Sequence, residues 1–422
     1  MTSEENNSQW RLRTRPARGD AKGLVRVSDS ATLSSYLSDA AHYPGGSTTA
    51  LYRPESEAAV GEVLVSGGTV MAVGAQSSLT GGATPNGETL LSTERMAAIG
   101  AWEGTTVTVG PGLVLARLEP ELSERGKYYP PVPTFDGATV GGTVATNAAG
   151  AATFKYGTTR DWVEGLSLVL ANGEVLDIER GLTLASDEGH FEIETGAGSV
   201  IRVPLPSYTM PDVPKHSAGY FVRPGMDLID LVIGAEGTLG VVTSVSLRLA
   251  VPRPEWFVAL LPMGDEAAAM ALNAELREAS RSGQLDVAAI EYMDRRSLEL
   301  AAEHDRARLA PLPAGADTAL LVQAELPAGT SRDQAAAELA EAGGSPLAGL
   351  GHVLREHGVF DEAAVALPGE DARRRALFAV REAVPEAVNG RVAEVRRDGN
   401  PGVSKAASDV IVPFDKLTEA MT

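Results

Sequence analysis

Two runs of small, uncharged residues carry the most suggestive chemistry in this chain. They are Gly74-Ala75-Gln76-Ser77-Ser78-Leu79-Thr80-Gly81-Gly82 and Val140-Gly141-Gly142-Thr143-Val144-Ala145-Thr146-Asn147-Ala148-Ala149-Gly150. Each follows or sits among strand-like sequence. Where no bulky side chain intervenes, main-chain N–H groups can approach an anion closely. One such loop says little, because turns use glycine for many purposes. Two of them, followed by Tyr156-Gly157 and by Ile233-Gly234-Ala235-Glu236-Gly237-Thr238-Leu239-Gly240, form a rarer pattern. It reads as the binding cradle of an extended dinucleotide.

Composition narrows the remaining classes. A chain of 422 residues is long enough for two or three domains, each with its own core. A formal net charge of -20 disfavours nucleic acid and anionic membrane as partners, since like charges repel. The chain has no cysteine, so disulfides, thiolate metal sites, iron–sulfur clusters and cysteine nucleophiles are excluded. Met1 to Asp20 is polar and lacks the apolar stretch of a signal peptide. No apolar run reaches the roughly 18–20 residues of a membrane span. A cytoplasmic location is the default expectation.

The elements that must position these loops follow from local signals. Residues 1–30 are mixed and polar and are expected to be partly disordered. A short helix is expected from Leu33 to Ala41. Ala50 to Pro54 predicts a strand, and Ser56 predicts the cap of a helix over Glu57 to Ser66. Strands are expected at Thr69 to Val73, Leu90 to Ser92 and Thr105 to Val109, and a helix from Val114 to Arg125. Asn172-Gly173 between two apolar runs predicts a tight hairpin joining Leu166–Leu170 to Glu174–Ile178. A further strand is expected from Val241 to Leu249. Pro252-Arg253-Pro254 predicts a domain boundary. Beyond it, strands at Trp256–Leu261 and Thr318–Glu325 alternate with helices at Glu266–Ser280, Arg332–Glu341 and Asp371–Ala387. This predicts a smaller α+β domain, a sheet covered on one face by helices.

With these motifs in order, the chain resembles the FAD-linked oxidase and dehydrogenase family of the vanillyl-alcohol oxidase/p-cresol methylhydroxylase superfamily. Its nearest look is to D-lactate dehydrogenases, glycolate oxidase flavin subunits and D-2-hydroxyglutarate dehydrogenases. The resemblance is carried by Arg53-Pro54-Glu55-Ser56, the Gly74–Gly82 loop, Val109-Gly110-Pro111-Gly112 and Tyr129-Pro130-Pro131-Val132-Pro133. It continues through Gly141 to Asn147, Lys155-Tyr156-Gly157, Asn172-Gly173-Glu174, Lys215 to Tyr220 and Gly234 to Thr243. It implies an α+β architecture: a two-subdomain FAD-binding domain over 45–250, after an N-terminal extension over 1–44, then a partial ferredoxin-like cap over 255–422. FAD would be held by Gly74, Ala75, Gln76, Ser77, Ser78, Thr80, Gly81 and Gly82 around the pyrophosphate. Pro133, Gly141, Gly142, Thr146 and Gly157 would run along the flavin, and Glu236, Gly237 and Val241 would reach the adenine end.

Three departures from the family pattern matter. Gln76 stands where glycine is usual, so its backbone should avoid conformations reserved for glycine. No histidine lies in the glycine loops, which implies non-covalent FAD. The family's His-x-x-Gly-Asp-Gly-Asn-x-His type segment, which supplies metal ligands and a base, would follow the expected strand Asp409-Val410-Ile411-Val412-Pro413. The chain reaches Thr422 before it, so a divalent metal is expected only with that segment.

The resemblance implies oxidation of a small 2-hydroxy acid, with hydride passing to flavin N5. Arg381 is the candidate carboxylate anchor, because a guanidinium fork matches a carboxylate, and Lys405 is a second. No residue here is assigned as the base. His216 is a candidate for a place near substrate. Alternatives are a flavin-binding subunit of a hetero-oligomeric oxidase and a sugar or alditol oxidase. The electron acceptor (quinone, cytochrome, electron-transfer flavoprotein or oxygen) and a homo- or hetero-oligomeric state stay open.

Overall fold

The computed structural model describes residues 11–309, 311–312, 316–341, 344–405 and 410–421. The chain divides into two compact units. One comprises residues 1–150, 157–251 and 406–422, and the other residues 151–156 and 252–405.

The first unit begins where composition suggested disorder. Arg11–Arg13 (β1) and Val25–Val27 (β2) are strands. Polar composition conceals them because main-chain pairing does not require apolar side chains. β1 lies parallel to His190–Glu194 (β10), which pairs antiparallel with Val200–Pro204 (β11). Arg11 bonds Glu192 at 2.7 Å across that ladder. The arm is then pinned by Arg15, whose guanidinium reaches Glu57 at 2.7 Å and Asp177 at 2.5 Å.

A four-stranded sheet has the order β2, Leu51–Arg53 (β3), Thr89–Ser92 (β5), Val70–Val73 (β4). β3, β5 and β4 are parallel, so β3 and β4 need a crossover, and the helix Glu57–Val65 supplies it. Ser56 Oγ caps this helix by accepting the Ala59 N–H at 3.1 Å. The helix expected over Leu33 to Ala41 is instead Ser30–Ser34, because Asp29 caps it earlier by accepting the Thr32 N–H at 2.8 Å.

The second large sheet is antiparallel. Its order is Ile99–Glu103 (β6), Thr106–Val109 (β7), Val241–Arg248 (β12), Val163–Val169 (β8), Val175–Glu179 (β9). The hairpin from β8 to β9 forms as expected, but through the three-residue loop Ala171-Asn172-Gly173 and not a two-residue turn: the Gly173 N–H donates to Leu170 O at 2.9 Å, and of the pair only Gly173, at φ +81°, is left-handed. Val60 and Val63 of the crossover helix pack with Leu91, Val169, Val175 and Val241, which joins both sheets in one core.

In the other unit, Glu255–Met263 (β13), Val287–Met293 (β14), Thr318–Leu326 (β15) and Ala364–Ala366 (β16) form one antiparallel sheet in the order β14-β15-β13-β16. This is the split β-α-β arrangement of a ferredoxin-like fold. The expectation of one covered face is corrected. Phe257, Ala259, Leu261 and Met263 face the helices Glu266–Arg281 and Pro346–Glu356, while Val258 and Leu260 face Leu377 and Val380 of the helix Asp371–Arg397. Side chains alternate across a strand, so an unbroken apolar run requires a layer on each side. The long helix also passes Pro385 and continues ten residues beyond Ala387, the expected end, to Arg397.

Residues 410–413, of the strand expected over 409–413, form no strand. Val410 is 80 % exposed, and a β ladder needs a partner strand that no local pattern can supply. Asp409 lies outside the described residues. Among the described residues, no helix is long and apolar enough to cross a membrane.

Candidate functional site

The Gly74–Gly82 loop leaves the end of β4 and is held from below by residues 36–41. The Ala40 N–H donates to Gln76 O at 3.0 Å and the Ala41 N–H to Ser78 O at 3.1 Å. Asp39, only 3 % exposed, accepts the N–H of Ala83 at 3.3 Å and of Ala41 at 3.1 Å. The expectation for Gln76 is overturned. It adopts φ +48°, the left-handed region, at a cost of roughly 1–2 kcal/mol for a residue with a β-carbon. Its side chain offsets that cost, since Nε2 donates to Tyr36 O at 2.9 Å and to Ala83 O at 2.8 Å. Gln76 therefore cross-braces the loop, and its amide side chain is spent on protein.

The loop's own donors point to a ligand. Among the described residues, the main-chain N–H groups of Ala75, Gln76, Ser77, Ser78, Gly81 and Gly82 have no protein acceptor. Ser78 and Thr80 bond each other through their hydroxyls at 3.1 Å. Gly81 is constrained by the protein: its φ is +83°, and a β-carbon there would lie 3.1 Å from the Tyr43 ring. Gly82 is not so constrained. A β-carbon there would meet nothing nearer than 3.6 Å, with the Glu236 carboxylate at 3.7 Å. The space over Gly82 is a cradle a side chain would fill. A pyrophosphate needs such a row of donors, so these residues fit the phosphates of FAD.

The second glycine run is a short helix, Val140–Thr146, and not a loop among strands. Thr139 caps it by accepting the Gly142 N–H at 3.3 Å, which local apolar composition did not reveal. The Val140 and Gly141 N–H groups donate to Leu113 O at 2.9 Å and Pro111 O at 2.7 Å. Their glycines serve close packing: a β-carbon at Gly141 would stand 2.7 Å from Pro111 Cβ. Thr146 Oγ1 bonds back to Gly142 O at 3.0 Å.

Three segments meet here. Gly74 abuts Thr139, Gly82 faces Glu236, and the Glu236 N–H donates to Ala145 O at 2.8 Å. Glu236 and Gly237 are exposed on a turn with φ of +51° and +76°. The Val241 side chain is 5 % exposed and belongs to the apolar core, so only its main chain can face a ligand. Pro133 backs Gly150, where a β-carbon would lie 3.3 Å from Pro133 Cα. Gly157, at φ +74°, turns the chain into the Thr159–Trp162 helical turn.

Asn147, missed in the sequence, ties this end together. It adopts φ +46°, donates through Nδ2 to His216 O at 3.1 Å, and accepts the Arg160 N–H at 2.9 Å. Arg160 stacks on Phe221 at 4.4 Å and bonds the carbonyls of Asp230 and Ile233. Burial lowers the affinity of its guanidinium for the proton, and the Asp230 carboxylate opposes that. The His216 ring lies edge-on to Phe221 at 5.7 Å.

The two candidate anchors lie in the other unit. Arg381 pairs through Nε with Glu291 of β14 at 2.6 Å, with side chains 16 % and 24 % exposed. Burial pushes the Glu291 carboxyl above its ordinary range, with Arg381 opposing the shift. Lys405 donates to Asn389 Oδ1 at 3.2 Å, and burial lowers its pKa. Lys155 and Tyr156, which also belong to this unit, both hold Glu325, at 2.5 and 2.6 Å. Both bonds go to Oε2 of a carboxylate 7 % exposed, whose Oε1 has no hydrogen-bond partner among the described residues, and Lys155 also meets Asp286 at 2.5 Å. Among the described residues, no group of three His, Asp or Glu side chains is placed to hold a metal ion.

Residues 48–179 match the family model of the FAD binding domain. The chain is 30% identical over 323 residues to a D-2-hydroxyglutarate dehydrogenase of Xanthomonas citri pv. viticola, covering 76% of this chain and 56% of that protein. It is 30% identical over 317 residues to glycolate oxidase subunit GlcD of Bacillus subtilis, covering 74% of this chain and 56% of that protein. Over 229 residues it is 30% identical to a D-lactate dehydrogenase of Archaeoglobus fulgidus, covering 54% and 42% respectively. The chain thus spans between 42% and 56% of the length of these three relatives. Among solved structures, an alkyldihydroxyacetonephosphate synthase shares the fold, with a TM-score of 0.50 at 16% identity, covering 82% of this chain and 58% of that one.

Proposed function

We propose that this chain, whose residues 48–179 belong to the FAD binding domain family, binds FAD without a covalent link and oxidises a small 2-hydroxy acid. The observation that carries the first half is the set of N–H groups of Ala75, Gln76, Ser77, Ser78, Gly81 and Gly82 without an acceptor among the described residues, beside the open cradle at Gly82. The second half is supported by relatives named for D-2-hydroxyglutarate, D-lactate and glycolate. FAD, when bound, supplies a hydride acceptor at its N5.

The chain's own residues do the holding and orienting. The Ala75–Gly82 amides bind the pyrophosphate, and Gln76 keeps the loop in the conformation that aims them. The Glu236-Gly237 turn, fastened to Ala145, lines the same pocket. Arg381 binds the substrate carboxylate through its fork, and Lys405 adds positive charge. A lowered Lys405 pKa leaves that lysine readier to give up its proton than an exposed one.

The cofactor half is tested by denaturing the purified yellow protein with acid. FAD should pass wholly into the supernatant, in stoichiometric amount. Flavin retained in the pellet would refute the non-covalent reading, and a colourless protein that takes up no added FAD would refute the cofactor.

A further inference from the structure

Glu291 occupies a position where an apolar residue would pack. On β14 its neighbours Ile290 and Tyr292 turn to the opposite core, while Met293, two residues on, joins Leu321, Leu377 and Val380 on its own face. Across the ladder Glu291 stands opposite Leu321. One carboxylate oxygen meets Arg381 Nε at 2.6 Å. The other, Oε1, is buried and has no hydrogen-bond partner among the described residues. Burying an ion pair roughly breaks even against apolar packing, so stability alone does not account for a carboxylate here. Orientation does. A bond at Nε stops the guanidinium plane from turning about its last side-chain bonds, and a planar fork grips a carboxylate only when correctly turned.

We propose that Glu291 is a positioning residue that fixes the Arg381 guanidinium for the carboxylate of a 2-hydroxy acid. This rests on the reading of Arg381 as the carboxylate anchor. Glu291 acts on substrate through Arg381 and supplies no chemistry of its own.

The FAD-loaded full chain and its Glu291→Gln variant are titrated anaerobically with D-lactate, glycolate and D-2-hydroxyglutarate, following flavin bleaching. Glu291→Gln keeps the shape and removes the charge. The half-saturating concentration should rise at least about tenfold, with a smaller change in the limiting rate, the signature of lost ground-state binding. In an Arg381→Met background the same change should add nothing, because the route through Arg381 is already gone. Glu291→Asp, which keeps the charge, should recover part of the loss. It stands in for Glu291→Gln should that variant lose its FAD, and should then show a milder rise. Unchanged half-saturation in a folded variant, or an equal further loss in the Arg381→Met background, would overturn the assignment while leaving the substrate reading intact. A wild type that holds FAD but is neither bleached nor spectrally perturbed by any of the three acids would overturn both.

Discussion

Gly74 lies against Thr139 so closely that a β-carbon at residue 74 would overlap the Thr139 hydroxyl oxygen and stand 3.4 Å from its Cβ. That hydroxyl caps the helix Val140–Thr146. The first glycine of one run and the cap of the other are therefore a single contact.

Gly74→Ala should disturb both runs at once. The Thr139 hydroxyl must turn away, leaving the Gly142 N–H without its cap. Overpacking costs about 1–3 kcal/mol and a lost cap about 0.5–2 kcal/mol. The expected outcome is a lower thermal midpoint together with weaker FAD binding. A variant that melts like the wild type and binds FAD equally well would show that the contact is slack.

Gly81 and Gly82 should separate strain from ligand contact. Gly81→Val meets both a left-handed backbone and the Tyr43 ring, so it should lose stability in the apoprotein as well as FAD affinity, by about 1–3 kcal/mol. Gly82→Val has room in the protein and should leave apoprotein melting nearly unchanged while weakening FAD. Titration of each apoprotein with FAD, beside its melting curve, checks this. Equal FAD affinity in Gly82→Val and wild type would remove the pyrophosphate from that cradle.

Arg15 should confer a pH-dependent stability. Its hydrogen bond depresses the Asp177 carboxyl pKa. A depressed folded-state pKa means the stabilisation is complete above the unfolded value of about 3.9 and is lost as pH falls through the folded value. The stability gap between wild type and Arg15→Ala should thus be constant from about pH 6 to 8 and narrow below about pH 4. Denaturant melts at several pH values measure it. A gap that stays constant on acidification would mean Arg15 acts through packing alone.

Much of this organisation was legible because it is local. Asn172-Gly173 needs only its own backbone angles to make a turn, and Ser56 needs only the N–H three residues on. From Trp256 to Met263 β13 is apolar at every position, and that alone requires layers on both faces and not on one. The two glycine runs were visible because small residues stand out wherever they occur. Their shapes were not: whether a run of Gly, Ala and Thr is loop or helix depends on the cap and on which carbonyls lie nearby, here Leu113 and Pro111.

The sequence by itself determined the strands β3, β4, β5, β7, β8, β9, β12, β13 and β15, the crossover helix and the β8–β9 hairpin, since each depends on neighbours a few residues away. Only the tertiary structure decided the pairs that make the site specific. Arg381 meets Glu291, Asn147 joins His216 to Arg160, and Gln76 takes a glycine's conformation because Tyr36 and Ala83 offer its amide two carbonyls. These partners are far apart along the chain or lie across a turn. A charged or amide side chain carries no mark of which distant group will satisfy it, and the cost of leaving it unsatisfied appears only once folding has removed the water.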